Sequence, residues 1–349
     1  MLKEELDEFI SKIENKNIIP GMGISIIENE QAPLISTYGF AEIKNKIPMS
    51  DDHLFQVASL SKPVTAWGIM LLVQERKIKL DDPVNNYLTK WKIPSNSYDS
   101  NKVTVRQLLS HTSGICPVEY QGIQLAGEVY TLEESLKGKY SFTTKVELLH
   151  PPGNRFLYTG AGYTILQLLI EEVTGDRFEV YMESKVLIPL GLRKSTYKWE
   201  SVLDKEISRS YNLFGEELPQ KIFPEKAAAG LLSTLPDITK FVQANINYTG
   251  LLNKSSLSML HSRVHRAIPY GLGFQITTLA NGNRIIFHNG HINGWSSSFI
   301  FTTNCNSALI ILTNSESGHY VIRDLITLWV QRKFSNVTEN SLKSILPQN

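Results

Sequence analysis

Short hydrophobic runs bounded by polar turn residues lie near both ends of the chain and predict β-strands. Residues 21–28 ("GMGISIIE") and 32–43 ("APLISTYGFAEI") are rich in β-branched residues and predict a strand pair. Four further runs follow late in the chain: "YGLGFQITTL", "NRIIFHNG", "SSSFIFTTN" and "SALIILTNS". Because sequential strands usually pair with neighbours, we expect an antiparallel sheet built from both ends of the chain.

Hydrophobic residues recur at helical spacing through the middle of the chain. This pattern predicts helices over residues 63–76, 103–114, 161–175, 177–191 and 235–246, and amphipathic helices over 1–16 and 319–334. The expected fold class is therefore α+β, with helices flanking an antiparallel sheet and a mostly helical insertion. We predict a discontinuous sheet domain (1–62 and 245–335), a helical domain (63–244) and a C-terminal tail (336–349).

Composition narrows the class of protein without identifying it. The 349 residues are 42% hydrophobic and 20% charged, with a formal net charge of +1, so nothing in the charge balance favours nucleic acid or an anionic membrane. Two cysteines, Cys116 and Cys305, are too few for a disulfide scaffold. The N-terminal segment lacks the apolar core of a secretion signal, and no apolar run is long enough to cross a membrane. We expect a cytoplasmic protein, or a secreted or periplasmic one if a signal has been removed.

Ser59 and Lys62 lie three residues apart in "QVASLSKPVTAW", just before an apolar helix. Residues three apart share a helix face, so the lysine can reach the hydroxyl and assist its deprotonation. The spacing alone is weak, because a helix cap followed by a solvated lysine has the same pattern. It also occurs at Ser195 and Lys198, in a polar stretch with no apolar helix after it. We therefore take Ser59 as the candidate nucleophile and Ser195 as structural.

The segment around Ser59 resembles the nucleophile segment of the class C β-lactamase family. That family also holds penicillin-binding D-peptidases, family VIII esterases, D-aminopeptidases and some acyltransferases. Five later blocks resemble the family in its own order: "TVRQLLSHTSGI", "PPGNRFLYTGAGYTIL", "AAAGLLSTLPDITKF", "YGLGF" and "FHNGHINGWSSSFIF". Together they span nearly the whole chain, and the resemblance implies a β-lactamase/transpeptidase-like fold.

The resemblance implies a catalytic role for three residues at matching positions. Ser59 would attack a substrate carbonyl and form an acyl-enzyme, and Lys62 would help to move the serine proton. Tyr158, in "LYTG", matches the tyrosine of the family's Tyr-x-Asn motif and would act as general acid or base. Without the resemblance, such a tyrosine is more often a core aromatic, and the same tripeptide recurs at Tyr248.

The resemblance also implies roles for "HNG" and the residue after it. His288 stands where the family has the first residue of Lys-Thr-Gly or His-x-Gly, and would contact a substrate carboxylate or polarise Tyr158. Gly290 would let the substrate backbone lie against the strand. The oxyanion hole would consist of the backbone N–H groups of Ser59 and His291.

Two departures from the family pattern point away from efficient β-lactam hydrolysis. Gly160 replaces the asparagine of Tyr-x-Asn, which removes an amide and is expected to widen the site. His288 replaces the lysine of Lys-Thr-Gly, and a histidine holds a carboxylate less firmly. Both changes favour an esterase, an amidase or an acyltransferase whose substrate needs no carboxylate.

The sequence therefore predicts a serine hydrolase that cleaves a small-molecule ester or amide and needs no cofactor. The alternatives are an acyltransferase with the same centre, a D-peptidase or penicillin-binding protein with weak β-lactamase activity, and a non-catalytic binding protein. Histidine pairs at 261/265 and 288/291 raise the possibility of zinc, but Ser262 stands where a zinc protease helix has glutamate. The oligomeric state is left open.

Overall fold

A seven-stranded antiparallel sheet forms the centre of the fold in a computed structural model, which describes residues 3–14, 19–29, 31–118, 120–124, 130–139, 144–334, 337 and 342–346. The sheet strands are β1 (Gly21–Glu28), β2 (Leu34–Glu42), β3 (Ile47–Pro48), β10 (Gln275–Thr278), β11 (Arg284–Ile292), β12 (Trp295–Thr302) and β13 (Ser307–Thr313). Their order is β10-β11-β12-β13-β1-β2-β3. Shorter strands form two-stranded pairs: β4 (Phe55–Gln56) with β9 (Leu232–Ser233), β5 (Ile123–Gln124) with β8 (Lys221–Ile222), and β6 (Ser210–Tyr211) with β7 (Glu217–Leu218).

The two ends of the chain meet at the middle of the sheet, as predicted. β1 pairs with β13 along its whole length, with Ile24 opposite Ile311, and pairs with β2 on its other side. Every residue from Met22 to Ile27 is buried, because helices cover both faces of this central strand. The α+β fold class, with an antiparallel sheet and flanking helices, is confirmed.

The helices lie close to where hydrophobic spacing predicts them. They are α1 (Lys3–Glu14), α2 (Ser61–Gln74), α3 (Val105–Leu109), α4 (Leu132–Leu136), α5 (Ala161–Thr174), α6 (Phe178–Met182), α7 (Lys226–Ala229), α8 (Leu235–Ile246), α9 (Lys254–Leu260) and α10 (Gly318–Lys333). α2 begins two residues before Pro63, which is tolerated because the first turn of a helix needs no backbone donor there. The helix predicted over 177–191 is instead α6 followed by a π-helical turn, Glu183–Leu187.

Each face of the sheet has its own hydrophobic core. On the outer face, α1 and α10 pack through Leu6 and Trp329. On the inner face, a larger core joins the sheet to the inserted helices, and the Phe241 ring of α8 lies 6.2 Å from the Phe299 ring of β12. This core continues across the predicted domain boundary. The division into a sheet domain (1–62 and 245–335) and a helical domain (63–244) therefore stays a prediction.

Part of the predicted C-terminal tail is packed against the outer face. Ile345 is fully buried in the core beneath α10, and the Ser344 and Thr277 hydroxyls are 3.0 Å apart. The rest of the predicted tail, apart from residues 337 and 342–346, lies outside the described residues. None of the described helices has the length and apolar character that a bilayer-spanning segment requires.

Candidate active site

Ser59 and Lys62 are in hydrogen-bond contact at the N-terminal end of α2. Ser59 lies in the 3-10 turn Ala58–Leu60 that leads into the helix, and Lys62 lies in the first helical turn. The Lys62 Nζ atom is 3.0 Å from the Ser59 Oγ and 2.8 Å from the carbonyl oxygen of Ala228. Lys62 is 3% exposed, and no ion pair joins it to a carboxylate among the described residues. Its amine is therefore in direct contact with the serine hydroxyl.

A strained backbone turn presents the Ser59 side chain. Ala58, the preceding residue, has a φ of +48°, a conformation that L-residues rarely adopt. The Ser61 Oγ donates to the Ala58 carbonyl over 2.6 Å, and the Ser297 Oγ donates to the Val57 carbonyl over 2.9 Å. These bonds tie the turn to its own helix and to β12, so the surroundings hold Ser59 in place.

Tyr158 lies beside this pair, in the loop that precedes α5. The Lys62 Nζ is 5.1 Å from the centre of its ring, a distance suited to a cation–π contact. The ring is 37% exposed. Across the ranges that the structure describes, no hydrogen bond joins the Tyr158 hydroxyl to Ser59 or Lys62. The structure thus brings the three predicted catalytic residues together, and the acid–base role of Tyr158 stays a prediction.

His288 does not face the substrate cavity, which corrects the expectation of a direct carboxylate contact. Its side chain is fully buried, with the Nε2 atom 2.8 Å from the Tyr270 hydroxyl and the Nδ1 atom 2.8 Å from the Asn289 carbonyl. Burial, and then the charge of Lys62, lowers the pKa of His288 from 6.5 to about 3. A neutral imidazole in this position donates to Asn289 and accepts from Tyr270, and its ring centre lies 6.3 Å from that of Tyr158.

Gly290 is required by close packing inside the protein. A Cβ atom there would overlap the Ser297 hydroxyl, lie 2.5 Å from the Val57 carbonyl oxygen and lie 3.2 Å from the Ser59 backbone nitrogen. This differs from the expected reason, which was access for a substrate backbone. The glycine lets β11 lie directly against the nucleophile turn.

The β11–β12 register directs the His291 backbone towards the same place. Ile292 pairs with Trp295 across a two-residue hairpin, so the hydrogen-bonded pairs run through 292 and 290. The N–H of His291 then points away from β12, to the edge of β11 that β10 leaves uncovered. The oxyanion hole formed by the backbone N–H groups of Ser59 and His291 stays a prediction.

Gly160 does not widen the site, which corrects a second expectation. A Cβ on this residue would lie 2.6 Å from the Tyr120 ring, so that ring occupies the space that an asparagine side chain would need. The Tyr120 hydroxyl is hydrogen-bonded to Thr164 of α5, which fixes the ring there.

Two residues of the site, His111 and Tyr270, were not predicted from the sequence, although both lie in blocks that carry the family resemblance. The His111 ring stacks 4.3 Å from the Tyr158 ring and accepts a hydrogen bond from the Thr159 backbone. Burial first, then Lys62 and His288, lowers the pKa of His111 well below 6.5. Its Nε2 atom has no partner among the described residues. The sequence signal for His111 is its place inside the turn "SHTSG". In the structure His111 has a φ of +57°, which L-residues rarely adopt.

The second Ser-x-x-Lys, at Ser195 and Lys198, and the second Tyr-Thr-Gly, at Tyr248, have structural roles. The Ser195 hydroxyl lies 2.9 Å from an Asp237 oxygen, and Lys198 forms an ion pair with Glu183. A second cavity, of about 520 Å³, opens near Ser195, but the serine is turned into this network. Tyr248 is exposed and lies beneath Lys254.

Neither histidine pair forms a metal site. His261 is buried with its Nε2 atom 3.0 Å from Asn245 Oδ1, whereas the Nδ1 of His265 accepts from a nearby backbone N–H. His288 and His291 lie three apart on β11 and so point to opposite faces. Within the described ranges, no cluster of three or more His, Cys, Asp or Glu side chains is arranged to hold a metal ion.

A cavity of about 540 Å³ opens beside Ser59, and Tyr158, Gly290 and His291 line it. It runs along the uncovered edge of β11, between the start of α10 and the C-terminal segment 342–346. A small organic molecule fits in this volume with its carbonyl at Ser59.

Comparisons with known proteins agree with this arrangement. The chain is 26% identical over 334 residues to protein flp of Staphylococcus aureus (strain MW2), an alignment that covers 91% of this chain and 64% of that protein. It is 26% identical over 312 residues to penicillin-binding protein 4* of Bacillus subtilis (strain 168), which covers 80% of this chain and 65% of that protein. The chain thus spans a little under two thirds of these relatives.

The fold is similar to that of the octameric penicillin-binding protein homologue from Pyrococcus abyssi. The TM-score is 0.80 at 26% identity, over 94% of this chain and 78% of that one. The family model described as Beta-lactamase matches residues 6–330, which takes in both halves of the sheet and every residue of the site. The chain belongs to the β-lactamase family.

Proposed function

We propose that the protein is a serine hydrolase that cleaves an ester or amide bond through an acyl-enzyme on Ser59. The observation that carries this proposal is the 3.0 Å contact between the buried Lys62 amine and the Ser59 hydroxyl, at the wall of a cavity that accepts a small molecule. A serine hydroxyl is a poor nucleophile without a base, and the Lys62 amine lies at the distance from which it could take the serine proton.

The first half of the reaction acylates the serine. The Ser59 Oγ attacks the substrate carbonyl carbon as its proton passes to Lys62, and the backbone N–H groups of Ser59 and His291 hold the oxyanion. The tetrahedral intermediate then expels the alcohol or amine, which takes a proton from Tyr158. Tyr158 recovers this proton from Lys62, so no net proton is gained or lost.

The second half removes the acyl group. A water molecule attacks the ester carbonyl as its proton passes to Tyr158, which gives its own phenolic proton to Lys62, and Ser59 then leaves with that proton from Lys62. An alcohol or amine acceptor in place of water gives an acyltransferase, the same chemistry with another nucleophile. The open cavity leaves room for either acceptor, so acyl transfer stays a candidate beside hydrolysis.

A D-peptidase or β-lactamase activity and a purely binding role both have less support. The first needs a group that holds a carboxylate, and the buried His288 does not offer one. A non-catalytic binding protein would have no use for a lysine kept buried against a serine at a strained turn. These features favour catalysis on a substrate without a carboxylate.

Labelling with a fluorophosphonate tests the proposal. Intact mass and peptide mapping should give one adduct per chain, on Ser59. Ser59→Ala should lose the adduct and the hydrolysis of short p-nitrophenyl esters, whereas Ser195→Ala, a matched variant in the second Ser-x-x-Lys, should keep both. Labelling of Ser59→Ala at the wild-type level would refute the assignment.

A further inference from the structure

One set of the residues that line the cavity beside Ser59 is apolar or aromatic. Its residues, here called the apolar wall, come from separate parts of the chain: Phe156, Pro269, Tyr270, Phe287, Ile322 and Leu346. The Phe156 and Tyr270 rings lie 5.8 Å apart at the end nearest Tyr158. Such a surface favours a ligand that buries aromatic or aliphatic groups.

The residues that line this cavity carry no fixed charge. In the part of the chain that the structure describes, they include no lysine, arginine, aspartate or glutamate. The polar members are hydroxyls, amides such as Gln275 and Asn289, and the imidazoles of His291 and His319. Burial first, and then the neighbouring His319, lowers the pKa of His291, which disfavours a positive charge on its imidazole. A charged group against the apolar wall would lose water with no lysine, arginine, aspartate or glutamate among the lining residues to pair with it.

The apolar wall begins beside Tyr158, the residue that protonates the leaving group in the proposed mechanism. A leaving alcohol or amine must be near the acid that protonates it, which in the proposed mechanism is Tyr158. The Tyr270 ring is 6.4 Å from the Tyr158 ring, and Phe156 is two residues before Tyr158 in the same loop. The wall therefore begins at the proposed proton donor and extends away from Ser59.

The C-terminal segment completes this wall. Ile345 is anchored in the outer core. The backbone N–H groups of Ile345 and Leu346 donate to the Leu342 carbonyl over 2.9 Å and 3.1 Å, and this turn brings Leu346 to the cavity. Leu342 packs against the same core but does not line the cavity. The two leucines thus form a pair in which one touches a ligand and the other does not.

We propose that the apolar wall binds the leaving group of the substrate, and that this group is an uncharged aryl or alkyl alcohol or amine. The inference rests on the proposed function and narrows its substrate class. A β-lactam or a peptide carries a carboxylate next to its leaving nitrogen, and this carboxylate would lie against the wall with no cation to hold it.

Three acetate esters test the inference, because all of them form the same acetyl-enzyme and differ only in the leaving phenol. They are 4-acetoxybenzamide, 4-acetoxybenzoate and 4-(trimethylammonio)phenyl acetate. Each kcat/KM is divided by the rate of hydroxide hydrolysis of that ester, which removes differences in phenol acidity. The neutral ester should exceed both charged ones by about tenfold or more. Equal values, or a preference for a charged ester, would overturn the inference while leaving the proposed function intact; no turnover of any ester would overturn both.

Substitutions in the cavity locate the effect. Gln275→Arg adds a cation and should make the enzyme about tenfold more efficient on the benzoate ester relative to the benzamide ester, whereas the neutral Gln275→Met should not. Leu346→Ala should lower catalytic efficiency several-fold more on naphthyl acetate than on ethyl acetate, and Leu342→Ala should alter neither. If Gln275→Arg and Gln275→Met give the same ratio of catalytic efficiencies on the benzoate and benzamide esters, the leaving group does not lie on this wall. The same conclusion follows if Leu346→Ala and Leu342→Ala behave alike.

Discussion

The Tyr270 hydroxyl lies 2.8 Å from the Nε2 atom of His288, so the family's histidine position here is bonded to a buried phenol. Tyr270 lies next to both His288 and Tyr158, with ring centres 6.0 Å and 6.4 Å away, and the His288 and Tyr158 rings are themselves 6.3 Å apart. The hydrogen bond from Tyr270 orients the His288 imidazole, so we expect Tyr270 to act as a positioning residue.

Tyr270→Phe should reproduce the kinetic defect of His288→Gln. We expect either variant to lower kcat about tenfold, and the double variant to lower it no further, because both remove one linkage. Tyr181→Phe is the matched control, since it loses a buried bond of 2.9 Å to the Gly68 carbonyl far from the site. All these variants should lose about 1–3 kcal/mol of stability, but Tyr181→Phe should keep its kcat. Additive losses in the double variant would contradict this relationship.

The stability of the protein should fall as the pH drops below 6.5. The folded-state pKa of His261, like that of His288, is lowered to about 3 by burial, so only the unfolded chain takes up these protons between pH 6.5 and about 3. Each such histidine adds stability that is complete above pH 6.5 and is lost at about 1.4 kcal/mol per pH unit as the pH falls through this window. Denaturant unfolding of His261→Gln between pH 4 and 5.5 should show a slope smaller by that amount; an unchanged slope would show that His261 titrates normally in the folded state.

Gly290→Ala should disable the site without unfolding the protein. The added methyl group would press on the Val57 carbonyl and move the Ser59 turn, so we expect kcat to fall about a hundredfold or more with a stability loss of about 1–3 kcal/mol. Gly175→Ala is the control, because Gly175 has a φ of +77° and no atom within 4 Å of the new Cβ. It should lose about 1–2 kcal/mol through backbone strain and retain full activity.

Ala58→Gly should be tolerated and Ala58→Val should not. Glycine relieves the strain at φ +48° but gains freedom in the unfolded chain, so the two effects should nearly cancel, to within about 0.5 kcal/mol. Valine is β-branched and should cost about 1–3 kcal/mol and slow the acylation of Ser59. Thermal unfolding and the rate of fluorophosphonate labelling measure the two effects; equal behaviour of the variants would argue against strain at this turn.

Restoring the family's asparagine at residue 160 should need a second change. Gly160→Asn alone would collide with the Tyr120 ring and should lose about 1–3 kcal/mol. Gly160→Asn combined with Tyr120→Ala should be more stable than the sum of the single effects, as a thermodynamic cycle of unfolding free energies would show. Strict additivity would mean that the ring moves aside freely.

The strands and long helices could be predicted because their hydrophobic periods depend on local sequence. β1 and α8 match the expected runs residue for residue. The predicted strand at 270–279 is shorter, since Gly273, with a φ of +89°, turns "YGLGF" against Ala66 before β10 begins. The position of that turn in the fold depends on its contact with Ala66, which no local sequence pattern encodes. The position of Tyr270 depends on the same contact.

The site could be predicted in its residue types but only in part in its geometry. The three-residue spacing places the Lys62 amine beside the Ser59 hydroxyl, because residues three apart lie on the same face of a helical turn. The orientation of His288 and the filling of the space at Gly160 depend on the partners Tyr270 and Tyr120, which come from distant segments. Residue identity at a family position therefore did not reveal which side chain faces the substrate.

The pairing of β1 with β13 has a consequence for how the protein folds. The strands at the centre of the sheet come from near the two ends of the chain, so a large loop must close before they pair. Chains rich in such distant contacts fold slowly. Ser59 and Gly290 are also far apart in the sequence, so their contact closes a loop of similar size. We therefore expect the Ser59 turn to gain its β11 neighbour late in folding, and a partly folded chain to hold the serine without it.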